Sequence, residues 1–177
     1  YLRSEAKAGR MKEKLMSVVA EGDRGRVYLA PTVEMESIAL NAQPQDAPET
    51  DLPKKALGFR IQEYGMLQWR DLFTPRQLVG LTTFSDLVQE AQEKVISDAK
   101  EAGYKNDASG LDGGGSGSTA YGDAVAVYLA FAVDRMVMTG NSLVRWNAVG
   151  QKAQHCFGRQ ALPMLWDFAE PNFLGNA

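Results

Sequence analysis

Four residues, Thr74-Pro75-Arg76-Gln77, commit the middle of this chain to a long helix. Thr offers an N-cap oxygen, and Pro suits the first helical position, where its missing N–H costs nothing. Gln, three residues after the cap, returns a hydrogen bond to complete a capping box. The spacing predicts a helix from there to about Ala102. Along it Leu81, Phe84, Val88, Ala91 and Val95 recur at 3-4-3-4 spacing, a stripe that packs on another helix. Glu90 and Lys94 fall on its outer surface as an i,i+4 pair. The partner is a second helix predicted from about Thr119 to Thr139. Its stretch Ala124 to Val133 is apolar almost all round, so it is expected to be the most buried helix.

Other elements are shorter. A first helix is predicted from about Glu5 to Glu21, with Ser4 as N-cap, Gly22 as stop, and Met11, Leu15, Val18 and Val19 on one face. Arg26 to Ala30 reads as a strand ended by Pro31, and Thr32 caps a short helix through about Asn41, with Glu34 and Glu36 in its first turn. A second strand is expected within Leu57 to Tyr64. Leu143 to Trp146 and Lys152 to Phe157 read as a hairpin around Ala148-Val149-Gly150-Gln151, followed by a last helix from Gln160 or Pro163 to Ala169. Residues 42–55, with three prolines, and the glycine-rich 103–118 read as flexible loops. These expectations sum to one α+β domain, predominantly α-helical, with two long antiparallel helices, a small β-hairpin and short strands.

Length and composition narrow the class. The chain has 177 residues, 45% hydrophobic and 23% charged, enough for one globular core. No apolar run reaches the roughly 18 residues a membrane span needs, so no membrane partner is expected. Nor does the charge-alternating N-terminus read as a signal peptide. A single cysteine, Cys156, fits a reducing cytoplasm. The start at Tyr1, without an initiator Met, suggests a segment of a longer protein.

The net charge of −3 hides an asymmetry. Residues 1–28 carry seven basic residues against four acidic ones, and between Asp134 and Asp167 there is no acidic residue at all. In the predicted first helix Arg3, Lys7, Arg10 and Lys14 follow a 4-3-4 spacing and form a stripe that could track a phosphate backbone. Arg145, Lys152 and Arg159 make a second basic set, and the two together could form a nucleic-acid face. Solvated surface explains the same pattern.

Motifs for chemistry are weak. Gly115-Ser116-Gly117-Ser118-Thr119-Ala120 matches a dinucleotide or S-adenosylmethionine loop, but no hydrophobic strand precedes it, so it reads as a connection. His155 and Cys156, adjacent on a strand, point to opposite faces and cannot pair; two such ligands are also too few for zinc. Asp167 and Glu170, three apart on a predicted helix, could share a face, but no nucleophile or ligand set accompanies them. Surface and capping roles fit them better.

Tyr1 to Met11, Val18-Val19-Ala20-Glu21-Gly22 and Tyr28-Leu29-Ala30-Pro31-Thr32 resemble segments of one family, the large adenine-specific DNA methylases that carry a zinc ribbon. So do Leu72 to Leu78, Thr82 to Leu87, Thr119-Ala120-Tyr121, Tyr128-Leu129-Ala130 and the stretch Phe157 to Asn172. The resemblance implies a parent enzyme that transfers a methyl group from S-adenosylmethionine to an adenine amine in DNA, and the parent's other domains as partners. In that family the cofactor motif and zinc ribbon lie upstream of this block, and the Asp-Pro-Pro-Tyr type motif that faces the flipped base lies downstream. No catalytic or cofactor residue therefore carries over; what carries over is a position where some methylases place target recognition. The expectation is a non-catalytic DNA-recognition or bracing region that contacts DNA through Arg3, Lys7, Arg10 and Lys14, with Arg145, Lys152 and Arg159 as a second set. The alternative is a structural or protein-interaction module that does not bind DNA and leaves apolar patches exposed.

Overall fold

A computed structural model describes residues 1–175. It shows a mixed α+β protein, mainly helical, with a long helix pair and two small antiparallel hairpins. The elements are α1 (Leu2–Lys7), β1 (Val18–Gly22), β2 (Gly25–Leu29), α2 (Val33–Leu40), α3 (Pro75–Glu101), α4 (Ser118–Thr139), β3 (Trp146–Asn147) and β4 (Lys152–Ala153). Short 3-10 helices cover Ile61–Tyr64 and Trp69–Leu72. The chain forms two compact units, one from Tyr1–Val79 with the chain from Met138 onward, the other Gly80–Val137.

Local chemistry explains the elements that match expectation. The Gln77 side chain accepts from the Thr74 amide (2.9 Å) and the Gln77 amide donates to the Thr74 hydroxyl (3.3 Å), the reciprocal capping box that opens α3. The Thr32 hydroxyl accepts from the Met35 amide and opens α2. All five stripe residues of α3, from Leu81 to Val95, are buried or half-buried. The second hairpin pairs Trp146 with Ala153 and Asn147 with Lys152 around 148–151, a shorter ladder than expected.

Three elements differ. The predicted helix 5–21 stops at Lys7, because Gly9 takes a left-handed φ of 68° and the chain then runs irregularly to β1. Val18 and Val19, read as part of a helical face, instead pair across a hairpin with Leu29 and Tyr28. Their β-branched side chains suit that ladder. The expected strand in 57–64 is irregular chain leading into the 3-10 turn that buries Ile61 completely. Nor is there a helix between Gln160 and Ala169. Pro163 disfavours a helical conformation at Leu162, the Leu162 carbonyl accepts from the Arg60 amide (3.0 Å), and the Ala169 amide donates to Val144 (2.7 Å).

The first unit centres on Leu52, Ile61, Leu72, Leu143 and Leu162, with Phe59, Trp69, Phe73 and Phe157 among the aromatic residues packed against them. Loop 42–55 reaches this core at its end. Leu52 is buried, its amide donates to Leu67 (2.7 Å), and Asp51 bridges Gln68. Across the top of α3, Arg76 makes two hydrogen bonds to Glu170 (2.6 and 2.9 Å), and the Gln77 amide group adds a third (2.8 Å). Asp167 and Glu170 therefore do not share a helical face, and Glu170 is a structural partner of α3.

In the second unit α3 and α4 run antiparallel, with Gln92 donating to Asp123 (2.7 Å) and Gly122 close against Ile96. The glycine-rich loop is stitched onto α4. Ser118 donates its amide to Lys105 (2.9 Å), the Thr119 hydroxyl donates to Asp107 (2.7 Å), and the Leu111 amide donates to Asp123 (2.9 Å). A Cβ on Gly117 would collide with the Lys105 carbonyl, so this glycine serves close backbone approach. The expectation that α4 is the most buried helix fails. Its buried residues are Ser118, Ala120 and Gly122, while Tyr128 is 76% and Phe131 60% exposed. One neighbouring helix can cover only one side of an all-apolar helix.

Gln151 closes the second hairpin at φ 47°, the left-handed region in which a non-glycine residue is strained. Gln151→Gly is expected to stabilise the hairpin by about 0.5–1 kcal/mol. Slower hydrogen exchange of the Gln154 amide, which donates to Arg145 (2.9 Å), would register it; faster exchange would contradict it.

Candidate nucleic-acid interface

The structure breaks up the first basic set. Arg3 and Lys7 lie on α1, whereas Arg10 and Lys14 fall in the irregular segment after it, so no continuous helical stripe exists. Three of the four cations also have carboxylate partners. Arg3 lies 2.6 Å from Glu63 and over the Tyr64 ring at 5.8 Å. The hydrogen bond to Tyr64, followed by the Glu63 charge, raises its pKa. Arg10 grips Glu5 through two hydrogen bonds of 2.7 and 2.8 Å, and Lys14 lies 3.8 Å from Glu36. The Arg10 hydrogen bond holds the Glu5 carboxyl below its ordinary value. The folded pKa is depressed, so this pair is intact at neutral pH and is lost as pH falls through that lowered value. Only Lys7 of the four has no ion pair among the described residues.

The second set is arranged differently. Arg145 directly precedes β3 and Lys152 opens β4, and the bond from the Gln154 amide to Arg145 extends the ladder by one pair. Successive residues of a strand point to opposite faces, so Arg145 and Asn147 share a face with Lys152 and Gln154. Trp146 and Ala153 turn the other way, and both are half-buried. Arg145 and Lys152 thus stand as diagonal neighbours on one face, within about 7–8 Å backbone to backbone. Both are exposed, and neither makes an ion pair among the described residues. Arg159, also exposed and without an ion pair, lies in the bend beyond the ladder.

Sequence reasoning treated the turn of this hairpin as a connection only. The Asn147 side-chain oxygen accepts from the Val149 amide (3.1 Å) and the Gly150 amide (2.9 Å), which fixes the turn. Val149 at its tip is 98% exposed. An Asn ahead of a short Gly-containing turn was the readable signal; the exposure of the tip was not.

The remaining candidates for chemistry are accounted for structurally. Cys156 packs against the core of the first unit, and burial pushes its thiol up to about 11, so it is not a thiolate nucleophile at neutral pH. His155 is exposed. No strand precedes the glycine cluster, as a cofactor loop requires. Among the described residues no three His, Cys, Asp or Glu side chains converge on a possible metal position, and no helix is long and apolar enough to cross a membrane. No protein-family description, curated protein or solved structure matches the chain.

Proposed function

We propose that this chain is a non-catalytic DNA-holding or bracing region of an S-adenosylmethionine-dependent adenine-specific DNA methyltransferase, acting in the cytoplasm together with the other domains of that protein. The family and the cofactor rest on the residue resemblance alone. The observation that carries DNA contact is the hairpin face, where Arg145 and Lys152 stand exposed and without carboxylate partners in a stretch free of acidic residues from 135 to 166. Phosphates are the natural complement of such a pair. Arg3, Arg10 and Lys14 are already compensated by Glu63, Glu5 and Glu36, so their share is small.

Charge reversal separates the sets. Arg145→Glu with Lys152→Glu is expected to abolish most duplex binding at low salt. Each lost phosphate contact should lower the slope of log affinity against log salt by about 0.9. Arg10→Glu with Lys14→Glu, measured in parallel by fluorescence anisotropy, is expected to have a much smaller effect. Equal losses from both pairs would show that net charge alone matters and would remove the hairpin from the interface.

A second reading is favoured by α4. Val127, Tyr128 and Phe131, at i, i+1 and i+4, are all exposed, as a protein-interaction module without DNA affinity would require. It predicts concentration-dependent self-association that Tyr128→Lys with Phe131→Lys removes, and no DNA binding at any salt concentration.

A further inference from the structure

We infer that the β3–β4 hairpin enters the major groove of duplex DNA tip first, with Val149 against base edges and the Arg145–Lys152 face along one phosphate wall. This rests on the DNA-holding reading above and adds where and how the duplex is engaged. A two-stranded ribbon fits the roughly 12 Å major groove, the groove that displays the thymine methyl. The ribbon is built for insertion. Its tip is held by the two hydrogen bonds to the Asn147 side chain. The four tip residues, Ala148 to Gln151, are all exposed, and none carries a charge. Val149, 98% exposed, is the one branched apolar side chain among them. In a major groove its complement is the thymine methyl group.

The same tip is a poor membrane anchor. One valine and one alanine bring less apolar surface than a single acyl chain, and one acyl chain alone gives only marginal, reversible attachment. Two cations do not close that gap. The groove of a duplex requires less, because the phosphates supply most of the affinity and the tip supplies only discrimination.

The experiment uses the full chain and two duplexes of one sequence, one containing thymine and the other uracil in its place. The unmodified chain is expected to bind the thymine duplex about fourfold more tightly for each methyl group contacted, the worth of one buried methyl. Val149→Ser should erase that preference while leaving the salt slope unchanged. Arg145→Glu with Lys152→Glu should remove binding to both duplexes. If the thymine preference is absent, or survives Val149→Ser, while the charge reversal still weakens binding, the groove insertion is overturned and DNA holding stands. If the charge reversal has no effect, DNA holding falls as well. Val149-dependent binding to vesicles of anionic lipid, with none to duplex, would overturn both in favour of a lipid surface.

Discussion

Leu72→Ala is expected to destabilise the first unit by about 3–4 kcal/mol, the largest single-site effect in this protein. Leu72 is completely buried and belongs to the cluster with Leu52, Ile61, Leu143 and Leu162. It also stands where the 3-10 helix Trp69–Leu72 hands over to α3. Its carbonyl accepts both the amide and the hydroxyl of Ser142, each at 2.8 Å. The backbone there is pinned by a residue seventy positions away in sequence, so the site cannot collapse to fill the space left by the lost atoms. Truncation therefore loses the transfer free energy of the side chain and leaves a cavity, which together place the cost in the upper part of the range for buried leucines. Leu57, 91% exposed, is the control; Leu57→Ala should stay within about 0.5 kcal/mol of the parent. Urea denaturation of both variants checks the pair. Similar midpoints would mean that Leu72 is not in the core.

The second large effect is at Gly122, in the other unit. A Cβ added there meets the Ile96 side chain at its Cγ1 and comes within 3.3 Å of the Gln92 carbonyl, so any side chain must drive α3 and α4 apart. Helix propensity alone favours replacing this glycine by about 1 kcal/mol. Overpacking costs about 1–3 kcal/mol and more for a large side chain, so steric cost wins for Gly122→Leu, with a net loss of about 2 kcal/mol expected. Gly80, in the body of α3, has nothing within 4 Å of an added Cβ. Gly80→Ala should therefore gain about 1 kcal/mol. Opposite signs at two helical glycines, read by thermal denaturation, test the close packing of the helix pair. Stabilisation by Gly122→Leu would refute it.

What was legible in the sequence was local. Thr74 with Gln77, and Thr32 with the Met35 amide, are contacts between residues three apart, and the sequence spacing alone specifies them. The hairpin around 148–151 was legible for the same reason. The apolar stripe of α3 was readable because its period matches the helix that carries it. The first helix was misread because its apolar spacing competes with two other influences. Gly9 breaks the helix locally, and Val18 and Val19 find partners eleven and nine residues on, in Leu29 and Tyr28. The segment 160–169 was misread because its backbone groups are satisfied by Arg60 and Val144, distant in sequence. α4 shows a different limit. Apolarity tells which residues a protein could bury, but a partner must exist to bury them.

The candidate interface follows the same division. The charges of Arg145 and Lys152 were visible in the sequence, but their common face depends on register, and a slip of one residue would point one of them away. The compensation of Arg3, Arg10 and Lys14 depends on side-chain placement. The Arg3–Glu63 pair spans sixty residues, and the Arg10–Glu5 pair, five residues apart, does not follow the i,i+3 or i,i+4 spacing of a helix.

The most direct test of the DNA-holding account is binding of the unmodified chain to duplex and to single-stranded DNA of the same sequence, each at a low and a moderate salt concentration. The account predicts preference for the duplex, with affinity falling steeply as salt rises, as counterion release from a small number of phosphates requires. Absence of binding to either DNA at low salt would contradict it and leave the exposed face of α4 as the surface through which this protein acts.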